Sequence, residues 1–131
     1  MSNLRIISNN PLARAKYGDI VEFVGGGAED VLIRARDFIH EGSRLLIHPL
    51  SGVAPGVSPY KSLALDIAGS PGRKSGNLGN ETDFVSLGLI EGAIGACIKT
   101  PDGFAGYDGT TLEDFMTVDL DILVSAIPAG R

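Results

Sequence analysis

RLLIHPLSGVAPGVSPYKSLALDI, residues 44–67, places two short apolar runs on either side of a polar, proline-rich connector. Residues 44–47 and 63–67 read as strands of one sheet, because short apolar runs bounded by turn residues mark buried strands. Between them, residues 48–62 carry His48, Ser51, Ser58, Tyr60, Lys61 and Ser62 on backbone whose φ is restricted by Pro49, Pro55 and Pro59. A connector this long inside a small domain is either functional or disordered, and its prolines argue against disorder. It reads as a site.

Outward from this stretch, apolar runs alternate with helical periodicity, the pattern of an α/β domain. Residues 4–8 predict a first strand buried on both faces, stopped by Asn9-Asn10-Pro11. Asn10 is placed to cap a short helix to about residue 17, with Pro11 in its first turn. Residues 20–24 predict a second strand, followed by Gly25-Gly26-Gly27. Val31, Leu32, Ala35, Phe38 and Ile39 recur at three- and four-residue spacing, giving a helix over residues 28–41 that Gly42 stops.

Residues 69–80 are rich in Gly, Ser and Asn and predict a surface loop. A helix over residues 81–99 should bury Phe84, Leu87, Ile90, Ile94 and Cys97, with Gly88, Gly92 and Gly95 on one face for close approach of another element. A last helix, residues 111–127, should be capped by Thr111 and Asp114 and turn Leu112, Phe115, Met116, Leu120, Leu123, Val124 and Ile127 inward, with Pro128 ending it. The expected architecture is one α/β domain over residues 1–131: a layered sandwich with a small, mostly parallel sheet of about four strands flanked by helices.

Composition narrows the function. With 131 residues, 44% of them hydrophobic, the chain can bury a sizeable core without disulfide or metal. A net charge of −5, with no basic cluster beyond Arg73-Lys74, argues against nucleic acid as a partner. One cysteine and two histidines cannot build the familiar zinc patterns, and a lone Cys97 fits a reducing compartment. The start MSNLRIIS lacks a secretory pattern, and no apolar run approaches the roughly 20 residues that span a bilayer. A soluble cytoplasmic protein without membrane, metal or cofactor is expected.

In parallel α/β sheets ligands bind outside the carboxyl ends of the strands. Here those ends carry Asn9 and Asn10, then the triple glycine, then His48, Pro49, Leu50, Ser51 and Gly52. The glycines could leave free N–H groups at a helix start for an anion, or simply form a turn; Glu29 and Asp30 already complement that helix end. His48 serves either as acid or base near neutral pH or as a hydrogen-bonded loop anchor. Ser51 lacks a G-x-S-x-G elbow and an assigned acidic partner, so it does not read as a nucleophile. Tyr60 and Lys61 offer a phenol beside a cation suited to a carboxylate or phosphate, although neighbours in extended chain point to opposite sides.

Residues 69–75 follow a strand and close on Lys-Ser as P-loops do, but Arg73 and Ala68 stand where that motif needs glycine, so nucleotide hydrolysis is rejected. Cys97 reads as a core residue. Asp119 and Asp121 are placed on the exposed side of the last helix.

Taken together, residues 8–12 (SNNPL), residues 36–42 (RDFIHEG) with Leu45-Leu46, HPLSG at 48–52 and PYKS at 59–62 resemble the GrdX family. Those small proteins are encoded beside subunits of glycine, sarcosine and betaine reductases in anaerobic bacteria. The likeness runs from Ile6 through the final helix and is densest over residues 36–62. It implies association with an amino-acid reductase pathway and supplies no catalytic residues to carry over. The expected function is an accessory or binding protein holding reductase subunits or a small anionic ligand at Asn9, Asn10, His48, Ser51, Gly52, Tyr60 and Lys61. Two alternatives stay open: a small enzyme using His48 as acid or base, and a structural homo-oligomer packed through the glycine-marked helix face.

Overall fold

The computed structural model describes residues 3–50, 58–67, 83–98 and 108–127. Four strands, β1 (Leu4–Ser8), β2 (Val21–Phe23), β3 (Arg44–Leu45) and β4 (Ser62–Asp66), form one sheet in the order β2-β1-β4-β3. β1 and β2 run parallel, whereas β4 is antiparallel to both β1 and β3. The α/β architecture with four strands is as expected; the sheet is mixed rather than mostly parallel. The reason lies in residues 44–67 themselves. No crossover helix separates β3 from β4 in the sequence pattern, and adjacent strands without a crossover must reverse direction.

Among the described residues the α-helices are α1 (Pro11–Tyr17), α2 (Ala28–His40), α3 (Phe84–Ile98) and α4 (Gly109–Ala126). On one face of the sheet, Ile7, Leu63 and Leu65 pack with Val31, Leu32, Ala35 and Ile39 of α2 and Ile90, Ala93 and Ile94 of α3. On the other, Leu4, Ile6 and Ala64 pack with Ala13 of α1 and Leu123 of α4. Ile6 and Ile7, both fully buried, thus point into opposite cores as the period of two along a strand demands. Each such side chain contributes about 1.5–3 kcal/mol of burial.

The helix ends follow local chemistry. Asn10 caps α1 by accepting the Leu12 N–H on Oδ1, and Pro11 opens the helix. At the end of α2 the chain turns through Gly42, whose φ of 110° is reached with little strain only by glycine. α4 is capped by Asp108, which accepts the Thr111 N–H at 2.8 Å, rather than by Thr111, so the helix starts two residues earlier than the capping pair suggested. That bond holds the Asp108 carboxyl below its ordinary range.

Two helix faces differ from their expected packing. Phe84 is 75% exposed and Val124 39%, while Ile90, Ile94 and Leu123 are buried. Gly88, Gly92 and Gly95 face outward, and a Cβ on any of them would meet nothing within 4 Å. No described element uses them for close approach. Among the described residues no helix is long and apolar enough to cross a membrane.

Candidate functional site at the carboxyl edge of the sheet

Because β4 is antiparallel to β1 and β3, its entry lies at the same edge as the exits of β1, β2 and β3. Asn9, Gly25 to Gly27, Tyr60, Lys61 and His48 therefore all follow or precede a strand at that edge. The like-directed strand tips that the sequence suggested are joined by a fourth tip pointing the other way.

Asn9 ties the edge together. Its Nδ2 donates to the carbonyls of Gly26 at 2.9 Å and Pro59 at 2.8 Å, and its Oδ1 accepts the Lys61 N–H at 2.9 Å. One side chain thereby joins the exit of β1, the exit of β2 and the entry of β4. Both amide protons are used, as burial of the residue requires. Asn10, fully buried, donates from Nδ2 to the Met116 carbonyl and to Asp119 Oδ2, both at 2.9 Å.

A second polar layer lies beneath. Asp119 Oδ1 accepts the Ser62 N–H at 3.0 Å and Oδ2 accepts the Ser62 hydroxyl at 2.5 Å. With its proton committed there, Ser62 Oγ accepts from Ser8 Oγ at 2.7 Å, and Ser8 Oγ in turn accepts the Asn10 N–H at 2.9 Å. The chain of donors runs in one direction, from Asn10 N–H through two serine hydroxyls to the carboxylate, an ordering in which each bond polarises the next. Asp119 is thus turned toward the sheet, not to the exposed side where the sequence reading placed it. A signal was available: Asp119 lies three residues after Met116 and four before Leu123, on one helical face.

The glycine loop is a turn with its helix start already capped. Asp30 Oδ2 accepts the Gly27 N–H at 3.0 Å, and a Cβ on Gly26 would fall 2.0 Å from that oxygen. Its carboxylate occupies the place an anion would take.

His48 is exposed, and its Nδ1 accepts the Leu50 N–H at 3.1 Å, which leaves the neutral ring's proton on Nε2. Tyr60 and Lys61 are both half-buried, and Ser58 holds the approach to them by accepting the Tyr60 N–H at 3.2 Å. Pro49 and Pro59 are fully buried and anchor the two described ends of the connector. Ser51 and Gly52, the loop at residues 69–80 and the Cys97 side chain lie outside the described residues. Among the described residues no group of three or more His, Cys, Asp or Glu side chains is placed to hold a metal ion.

These features define a three-layered α/β protein whose sheet edge is cross-tied by asparagine and serine side chains. The family model for GrdX-like protein matches residues 5–128, and the chain belongs to that family. No curated protein and no solved structure matches the chain.

Proposed function

We propose that this chain is an accessory protein of a glycine or betaine reductase system, acting in the cytoplasm and using the carboxyl edge of its sheet to hold a reductase subunit or a small anionic ligand. The observation that carries this reading is the Asn9 tie: three strand tips are fixed by one buried amide, giving a rigid rim from which Lys61, Tyr60 and His48 can make contacts. Rigid placement of a few polar groups is what recognition needs. Asn9 and Asn10 serve the rim as its frame, their amide protons being spent on the chain itself, and Lys61 supplies the positive charge an anionic partner would meet. Ser51 and Gly52, outside the described residues, are further candidate contacts by their place in the sequence after His48. The family's association with reductase subunits supplies the partner class.

The test is capture of purified glycine and betaine reductase subunits by the tagged chain, with thermal-shift measurements against glycine, betaine and acetyl phosphate in parallel. A subunit retained, or a melting shift with one metabolite, supports the reading; silence in both assays overturns it.

An enzymatic reading rests on His48 alone. With Nδ1 engaged by Leu50, the ring presents an Nε2 proton and suits donation to an anion better than proton abstraction. If an activity is found and His48→Gln retains full turnover, that role is wrong.

A further inference from the structure

Asp119 belongs to α4, far along the chain from the strands, yet its carboxylate receives three donors from the segments that build the rim. Ser62 supplies its N–H at 3.0 Å and its hydroxyl at 2.5 Å, and Asn10 supplies Nδ2 at 2.9 Å. Ser62 directly follows Lys61, and Asn10 directly follows Asn9. Successive peptide N–H groups at the β4 entry are thus held by different elements, Lys61 by the Asn9 side chain of the β1 exit and Ser62 by α4.

With α4 seated, Ser62 is 3% exposed and Asn10 fully buried, so a shift of the helix that breaks these bonds without admitting water would leave their donors unpaired. A buried donor without a partner is costly, which ties the seating of the helix to the shape of the rim. The apolar hold on α4 centres on Leu123, its one fully buried side chain among those described, with Leu120 and Ile127 packed partly buried against the same core.

We infer that Asp119 is a positioning residue for the carboxyl edge: by seating α4 it fixes the β4 entry, so that order at Tyr60 and Lys61 and docking of α4 form one coupled equilibrium. The functional part of this inference rests on the carboxyl edge being the binding surface. A partner that grips the rim would therefore tighten α4, and loosening α4 would weaken the grip, by the reciprocity of linked equilibria.

Amide hydrogen exchange on the full chain tests it, comparing wild type with Asp119→Asn and Ser62→Ala, and with Asp121→Asn as an exposed control on the same helix. In Asp119→Asn, exchange at Asn10, Lys61 and Ser62 should rise about ten-fold or more while Leu32 and Ala35 in α2 keep their rates. Ser62→Ala should show the same pattern at Asn10 and Lys61 with smaller amplitude, and it carries the test if Asp119→Asn does not fold. Uniform acceleration across the chain, or wild-type rates at Lys61 in both variants, overturns the inference. A second arm measures capture of reductase subunits. Weaker capture by Asp119→Asn with wild-type capture by Asp121→Asn supports the coupling, and equal capture by all overturns it. If the wild type itself captures no subunit, the binding reading fails, and exchange alone still decides whether Asp119 orders the rim.

Discussion

Asn9 and Lys61 are paired in both directions: the Asn9 side-chain carbonyl accepts the Lys61 N–H at 2.9 Å, and the Asn9 N–H reaches the Lys61 carbonyl at 3.4 Å. The pair extends the contact of β1 with β4 beyond the last ladder pairing, Ser8 with Ser62. It leaves the asparagine amide free to pull in Gly26 and Pro59. The positioning of the rim therefore draws on the Asn9 side chain as well as on the strands that flank it.

Replacing Asn9 by alanine should destabilise the fold by about 2–3 kcal/mol, because it orphans the Lys61 N–H and two carbonyls near a buried position. Asn9→Asp should be no better, since a carboxylate would face those two carbonyls without protons to give. Urea denaturation at neutral pH measures both. A loss within about 0.5 kcal/mol for alanine, the range of an ordinary surface change, would deny the tie.

Leu123 and Val124 are neighbours on α4 with opposite environments, 0% and 39% exposed. Leu123→Ala should cost about 2–5 kcal/mol through a cavity under the helix. Val124→Ala should stay within about 0.5 kcal/mol. Equal losses in the two variants would contradict the orientation of α4.

Much of the fold was legible where local chemistry decides it. Asn10-Pro11 announces both the end of β1 and the cap of α1, and the apolar spacing from Val31 to Ile39 marks the buried stripe of α2. Strand direction was not legible by local rules applied run by run. It depends on what lies between runs: residues 48–61 show no helical periodicity in the sequence, which favours a reversal over a crossover between β3 and β4. The rim residues Asn9, Tyr60 and Lys61 stood out by type and position, whereas Asp119 was marked only by sharing a helical face with Met116 and Leu123, and a carboxylate two residues from Asp121 resembles a solvated one. Its donors, Ser62 and Asn10, lie at sequence separations of 57 and 109, beyond the reach of local pattern. Phe84 and Val124 were misplaced for a related reason: α3 and α4 carry apolar residues on more than one face, so periodicity alone does not choose which face turns inward.

Gly42 has a φ of 110°, so Gly42→Ala should destabilise by about 1–2 kcal/mol through backbone strain. Gly27→Ala, at a position where an added Cβ meets nothing within 4 Å, should cost much less. Thermal denaturation of the pair checks the turn after α2, and similar melting points would contradict it.

Asp108 predicts an acid dependence. Its carboxyl is held below the ordinary range first by the Thr111 backbone N–H and then by the Thr111 side chain, bonds absent from the unfolded chain. The folded protein thus releases this proton at lower pH than the unfolded chain. The stabilisation is complete above the unfolded carboxyl value and is lost as pH falls through the folded one. The melting deficit of Asp108→Ala should be largest near neutral pH and close as the solution is acidified; a deficit independent of pH would contradict the cap.

His48 and Lys61 test the rim without testing the fold. His48→Ala, at an exposed site, should leave stability within about 0.5 kcal/mol of wild type. Lys61→Met keeps the half-buried stem and the peptide N–H that Asn9 receives while removing the charge. Both should weaken capture of a reductase subunit, and wild-type capture by the two together would remove the rim's contact residues from the account.

The most direct measurement is a backbone-amide NMR titration of the labelled chain with a purified reductase subunit. The perturbed amides should cluster at Asn9, Gly25, Gly26, Tyr60, Lys61 and His48, at the carboxyl edge of the sheet. Perturbation gathered instead on the exposed face of α3, at Phe84, Val85 and Gly88, with the edge unmoved, would contradict it.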